Sequence, residues 1–311
     1  MQNSSRALVD PMASVRAYLE AEKSSSTRRG YSTDWADFTA WCGRVSEDPL
    51  PALPATVARY LAQLADGGRK TSTIQRRVAA IRSAHQAAGF EPPTNTEGVK
   101  ATMRGIRRTL RSKTTRKKPT TAALLSKVLE HLPRTLAGLR DRAILLVGFA
   151  AALRRSEVVA IQLKEIERRA GGVLIHLGHS KSDQEGKGTE IPVPNGKHLR
   201  PVEALDAWLA AAGITSGPVF REVDRHGRVG ANALSDRSVA RIVKRAIKAA
   251  GLDETAFSGH SMRAGFVTEA LDRKQDPLLV KKQSRHVKLD TLAIYDRRDN
   301  ELEDHVGGEF L

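Results

Sequence analysis

Gly171-Gly172-Val173-Leu174-Ile175-His176-Leu177 is the stretch on which the reading of this chain turns. Upstream of it, apolar residues recur at helical spacing. Here a glycine pair is followed by a short, largely branched apolar run, which predicts a strand. Residues 189–193 read as its partner, and the polar segment 178–188, with Lys181 and Lys187, as the loop between them. Helical periodicity resumes on both sides, at 121–132 and 139–153 before the hairpin, and at 199–212, 235–250, 260–272, 276–283 and 290–295 after it. A small antiparallel sheet set into a helical domain is the architecture this pattern predicts.

Further towards the N-terminus only helices are expected, at 11–22, 32–44, 54–64, 71–88 and 95–111. In the fourth, Ile74, Val78 and Ile81 form one stripe while Arg76, Arg77 and Arg82 lie off it. Residues 112–120 are polar and basic, with Pro119 near their end, and read as a linker. The chain of 311 residues exceeds the ~100–200 of a usual domain. It is therefore expected to hold a helical domain at 1–111, the linker, and a mixed α/β domain at 121–311 that ends in a tail at 299–311.

Composition narrows the function. The run 143–153 is too short to span a bilayer, and the polar start lacks the build of a secretory signal. One cysteine excludes an internal disulfide and a cysteine-ligated zinc site. A cytoplasmic protein without membrane contact is expected. Lys and Arg exceed Asp and Glu by sixteen, which predicts a polyanionic partner. The excess is clustered. Lys100, Arg104, Arg107, Arg108, Arg111, Lys113, Arg116, Lys117 and Lys118 fall in one acid-free stretch, and Arg69, Lys70, Arg76, Arg77 and Arg82 in another. Such clusters suit nucleic-acid phosphates, although a solvated helix face is the plainer explanation of any one of them.

Four pieces of the second domain carry chemistry: Ala152-Leu153-Arg154-Arg155-Ser156-Glu157, His179-Ser180-Lys181-Ser182, Ser258-Gly259-His260-Ser261-Met262-Arg263, and Ser284-Arg285-His286 followed by Tyr295. Guanidinium groups bind phosphate oxygens in a bidentate manner. Three positions apart on a helix, His260 and Arg263 share a face. Two arginines, a lysine and two histidines around one phosphate could stabilise a pentacoordinate transition state. A tyrosine could then attack, with lysine or histidine moving protons. Each residue alone is more often a surface charge, a capping histidine or a packed tyrosine. Tyr295, however, is the only tyrosine after Tyr60.

Together and in this order, the pieces resemble the tyrosine recombinase (phage integrase) family. Its pattern is an arginine in a Leu-Arg-x-x-Glu box, a hairpin lysine, a His-x-x-Arg box, a histidine or tryptophan, then tyrosine. Ala40-Trp41-Cys42 and Thr73-Ile74-Gln75 extend the likeness into the first domain. The resemblance implies a mainly α fold, with a helical SAM-like core-binding domain and a mixed α/β catalytic domain. It implies a site-specific DNA recombinase working through a 3′-phosphotyrosine and a Holliday junction, without metal, nucleotide or other cofactor.

By position, Arg154 and Arg263 would bind the scissile phosphate, Tyr295 would attack it, and Lys181 would protonate the leaving 5′ oxygen. His260 would assist proton transfer at the tyrosine, Glu157 would support the site, and His286 would donate to the phosphate. Arg155 directly follows Arg154, so the assignment depends on register, and the spacing to Glu157 favours Arg154. The helix with Thr73, Gln75 and Arg76 and the 100–118 stretch would lie against DNA from opposite ends of the first domain, and the linker would let the two domains close as a clamp round the duplex. The implied partners are double-stranded DNA with an inverted-repeat site and a homotetramer on two synapsed sites. A type IB-like topoisomerase and a non-catalytic DNA-binding relative are the alternatives.

If the basic clusters contact six or more phosphates, affinity for duplex DNA will fall ~10³-fold or more between about 50 and 200 mM salt. Fluorescence anisotropy titrations measure this slope, and a nearly flat response would contradict the clamp.

Overall fold

The computed structural model divides into two compact units, Met1–Thr115 and Arg116–Leu311, and describes residues 22–110, 117–178, 188–293 and 295. The expected helix at 11–22 and the tail at 299–311 lie outside the described residues, apart from residue 22 at the helix end.

The described residues of unit 1 form four α-helices, α1 (Ser25–Arg44), α2 (Pro54–Asp66), α3 (Thr71–Ala87) and α4 (Glu97–Leu110), with a short 3-10 turn at Pro93–Asn95. The first begins seven residues before the expected start, where the Ser24 hydroxyl caps it by accepting from the Thr27 backbone N–H. The stripes read from the sequence meet in one core of Phe38, Trp41, Val57, Tyr60, Leu61, Ile74, Ile81, Val99, Met103 and Ile106. Aromatic rings dominate it, with Phe38 5.0 Å from Tyr60 and Trp41 5.2 Å from Tyr60 between centroids.

Unit 2 is built on α6 (Leu136–Ala150), whose residues are buried almost all round. Around it stand α5 (Ala122–Glu130), α7 (Arg155–Ala160), α8 (Pro201–Ala211) and α9 (Asp236–Ala249). They are followed by α10 (Ser261–Asp272), α11 (Pro277–Ser284) and the short α12 (Asp290–Ala293). The expected hairpin is there as β2 (Gly172–Leu177) and β3 (Thr189–Pro194), antiparallel, with Ile175 opposite Ile191 and Val173 opposite Val193. A strand the periodicity did not predict, β1 (Ile166–Arg169), completes the sheet in the order β1-β2-β3. A second hairpin, β4 (Arg221–Val223) with β5 (Val229–Ala233), was also missed. β1 and β4 are short and mostly charged, and β5 is short, built mainly of small residues and largely exposed, so none carries an apolar alternation to detect. Among the described residues no helix is long and apolar enough to cross a membrane.

The end of the expected linker is bound to unit 2. Lys118 N–H donates to the Ala256 carbonyl at 2.8 Å and Thr120 N–H to the Ser261 carbonyl at 2.9 Å. Glu269 accepts from the Ala122 N–H. The segment lies so close to α10 that a Cβ on Gly265 would come within 1.9 Å of the Thr120 carbonyl oxygen. Neither partner there is a flexible side chain, so Gly265→Ala should cost ~1–3 kcal/mol by overpacking. Thermal unfolding should show that loss, and an unchanged transition would mean that the segment is not seated there.

Candidate active site

The site grows from the C-terminal end of α6. Leu153 N–H donates to Gly148 O and Ala152 N–H to Phe149 O, both at 2.9 Å, closing the helix with Ala152 at φ 47°, a position that usually favours glycine. The turn leaves the next carbonyls to accept from side chains far along the chain. Ala150 O takes Gln283 Nε2 at 3.3 Å, and Ala151 O takes Arg285 Nη1 at 3.1 Å. Ala152 O takes Arg263 Nη1 at 2.8 Å and Arg285 Nη2 at 3.0 Å. A helix C-terminus is the negative end of its dipole, so these carbonyls are a natural seat for two guanidinium groups.

The first turn of α7 supplies the counter-charge. Glu157 is buried; its carboxylate accepts from the Arg154 backbone N–H at 2.8 Å, from the Arg154 guanidinium, and from Arg285 Nη2 at 2.7 Å. Burial pushes the Glu157 carboxyl up, but Arg285 and the Arg154 backbone and side chain together outweigh it and hold the group below the usual carboxylate range. Its contribution to stability is therefore complete above the ordinary carboxylate pKa, and is lost only as pH falls through the lowered value. Arg154 also donates to the Arg285 carbonyl at 3.3 Å. The neighbouring arginine is placed differently. Arg155 is exposed, reaches towards Asp236, and lays its side-chain carbons against Gly259, where a Cβ would meet Arg155 Cδ at 2.1 Å.

The start of α10, His286 just beyond the end of α11, and Tyr295 complete the group. Arg263 is buried, and its Nη2 has no hydrogen-bond partner among the described residues. Burial first, then the charges of Arg154 and Arg285, lower its pKa to about 10. A buried guanidinium so crowded by other positive charges gains from an incoming anion. His260 Nε2 stands 3.0 Å from the Tyr295 hydroxyl, and the His286 ring lies 5.6 Å from the Tyr295 ring. His260 is exposed at one edge, yet its pKa is lowered by desolvation and then by Arg263, Arg154 and Arg155. A neutral His260 can accept a proton from the tyrosine.

The structure thus gathers every expected catalytic side chain except Lys181, which lies outside the described residues. Arg285 is the residue the sequence reading missed. It stands between Ser284 and His286, and the sequence assigns it no role, because nothing local ties it to Glu157 or to the end of α6. The only available signal was a basic residue at an expected helix C-terminus.

In unit 1, Arg69, Lys70, Gln75, Arg76, Arg82, Lys100, Arg104, Arg107 and Arg108 are exposed, and Thr73 is half-buried. Arg76 pairs with Asp34, Arg82 with Thr94 and Arg104 with Glu97. Arg77 departs from the expectation, since its guanidinium turns inward onto Asp37 and the Tyr60 hydroxyl and leaves the outer face. The two basic helices are also not at opposite ends of the unit. With its amide oriented to satisfy both groups, Gln75 accepts from Arg107 Nε at 3.0 Å and Nη2 at 2.9 Å, which joins the outer faces of α3 and α4 in one surface. On unit 2, Lys117 and Lys118 are exposed, and Lys117 reaches the Thr255 carbonyl. Arg116 lies outside the described residues.

Comparison with known proteins follows the same division. Residues 119–301 match the phage integrase family, and residues 16–91 match the N-terminal SAM-like domain of phage integrases. The chain is 39% identical to an integrase/recombinase xerD homolog of Selenomonas ruminantium, over 93% of this chain and 86% of that one. It is 27% identical to the recombinase cre of Escherichia phage P1, over 74% and 71%. Among solved structures, a lambda integrase dimer bound to a COC′ core site shares the fold, with a TM-score of 0.61 at 19% identity over 93% of this chain and 77% of that one.

Removing the charge of Glu157 leaves two guanidiniums without their counter-ion. Glu157→Gln should therefore cost ~3–5 kcal/mol in thermal or urea unfolding. Arg285→Gly should cost less, because Glu157 keeps Arg154 and glycine suits φ 55° at that position. Equal losses would show that the pair does not work as described.

Proposed function

The chain belongs to the phage integrase family and is a site-specific tyrosine recombinase, and from that premise we propose how its own residues cut and rejoin DNA. The observation that carries the reading is the Tyr295 hydroxyl held 3.0 Å from His260 Nε2, beside a cluster of arginines. Arg154 and Arg263 bind the non-bridging oxygens of the scissile phosphate. Tyr295 Oη attacks phosphorus while its proton passes to His260 Nε2. The bond between phosphorus and the 5′ oxygen breaks, and Lys181 protonates that oxygen. The product is a 3′-phosphotyrosine and a free 5′-hydroxyl. Religation runs the same steps backwards with a 5′-hydroxyl from another strand, so the covalent link conserves the energy of the broken bond.

The arginines act mainly in the transition state, where the phosphoryl group gains charge among fixed, partly buried donors. Glu157 and the α6 carbonyls keep them in place without occupying the donor that Arg263 holds ready. The DNA surface is the joined face of α3 and α4 on unit 1 and the exposed Lys117 and Lys118 on unit 2, gripping duplex without reading every base. An inverted-repeat target bound by two protomers, and a homotetramer when two sites synapse, complete the proposal. The setting proposed is the cytoplasm, at the bacterial nucleoid. The names of the relatives favour recombination over topoisomerase activity, and the close tyrosine–histidine pair favours catalysis over mere binding.

A nicked suicide duplex, recovered from a random pool by binding selection, tests the chemistry. The unaltered protein should become covalently attached. Tyr295→Phe should bind with unchanged affinity and form no adduct, and an adduct in that variant would refute the nucleophile. Arg154→Ala and Arg263→Ala should each lower cleavage ~10²-fold or more with far smaller effects on binding. Because the His260 pKa is depressed, cleavage should persist through the ordinary histidine range and fail only at lower pH, where a protonated His260 can no longer accept the tyrosine proton.

A further inference from the structure

His286 is tied through Nδ1 to the Ser284 hydroxyl at 2.7 Å. Ser284 is wholly buried, and its Oγ also lies 2.6 Å from the Val280 carbonyl, with the Lys281 carbonyl further off at 3.5 Å. A carbonyl oxygen can only accept. The one hydroxyl proton therefore belongs to the carbonyl side, and Oγ is left to accept from the ring. Nδ1 then carries a proton in either charge state, and in the neutral ring the lone pair sits on Nε2.

The surroundings favour the neutral ring in the protein without DNA. Burial lowers the His286 pKa to about 4, assisted by Arg263, Arg154, His260 and Arg285. These groups face it from the start of α10, the start of α7 and the end of α11, while Tyr295 faces it from beyond α12 and Glu157 offsets Arg285. A neutral ring of this tautomer presents a lone pair to a phosphate oxygen, and lone pair against lone pair repels.

We propose that Ser284 is a positioning residue that locks His286 as the Nδ1–H tautomer, so that His286 hydrogen-bonds the scissile phosphate only after taking up a proton. The proposal rests on the reading above of where that phosphate sits. The phosphodiester itself promotes the uptake. Its negative charge cancels the repulsion from the arginines, and its oxygen gives Nε2–H an acceptor. The proton comes from solvent, and no bond to phosphorus is involved. The same charge acts on His260, but its Nε2 is engaged by the Tyr295 hydroxyl, so His286 is the ring that gains a new acceptor. The two histidines then hold opposite charge states at the moment of attack. His260 is neutral and accepts from Tyr295, and His286 is charged and donates to the phosphate. Cleavage gains an alkaline limb from His286 to set against the acid limb from His260.

Histidine-selective ¹⁵N labelling of the full chain tests this, since ring nitrogen shifts report tautomer and charge. In the Tyr295→Phe background without DNA, His286 should be neutral with its proton on Nδ1, and Ser284→Ala should shift the population towards Nε2–H. With the selected duplex bound, His286 should become imidazolium, whereas in the Ser284→Ala protein it should stay neutral and donate through Nε2. In single-turnover cleavage with Tyr295 present, Ser284→Ala should remove the alkaline limb, because its neutral His286 already donates through Nε2. Should Ser284→Ala not fold, His286→Trp carries the same test, because an indole N–H donates without proton uptake and the limb should vanish. An Nε2–H tautomer in the unaltered free protein, a neutral His286 in its DNA complex, or an alkaline limb indifferent to both substitutions would overturn the proposal. Failure of the unaltered protein to form an adduct, or an adduct with Tyr295→Phe, would instead overturn the placement of the phosphate, and the phosphate half of the proposal with it.

Discussion

The carbonyls at the end of α6 are the constraint on which the rest of the catalytic unit depends. Ala151 and Ala152 accept from Arg263 and Arg285, residues more than a hundred positions further on. A helix end buried without partners is costly, and so is a buried guanidinium. Each cancels the other's penalty. That mutual satisfaction fixes the start of α10 and the end of α11 against α6, and so fixes where His260, His286 and Tyr295 can stand.

The charge balance of the site follows from the same arrangement. Three guanidiniums, Arg154, Arg263 and Arg285, share one carboxylate, Glu157. The excess of positive charge lowers the pKa values of His260, His286 and Arg263 together, each pressed first by burial and then by its neighbours. A site kept short of negative charge is matched to an anion that arrives with the substrate. The same excess is tolerable only because the backbone carbonyls of α6 and of Arg285 itself spread it over neutral acceptors.

Much of this was legible in the residues. The glycine pair before Val173 and the branched apolar run after it predicted the β2–β3 hairpin, because a short apolar run bounded by turn residues suits a buried strand. The stripe of Ile74, Val78 and Ile81 predicted α3, because an amphipathic helix must repeat near 3.6. The strands β1, β4 and β5 were not legible, since they are short, charged or built of small residues, and form by pairing along a neighbour's edge. Arg77 reads as part of a basic cluster, and only the fold turns it onto Asp37 and Tyr60. Likewise, nothing in the chain's order says that Gln75 and Arg107 touch.

By itself the sequence determined which chemistry was available: a tyrosine, paired histidines and arginines in a spaced order, and enough clustered positive charge to hold a polyanion. Residue type and local spacing suffice for that, because donor, acceptor and charge belong to the side chain wherever it lies. Tertiary structure alone decided which arginine enters the site, that Arg285 joins it, and which nitrogen of His286 bears the proton. Those properties depend on partners distant in the chain or on the exact turn of a helix end, and come into being only when the backbone closes and its last carbonyls must find donors.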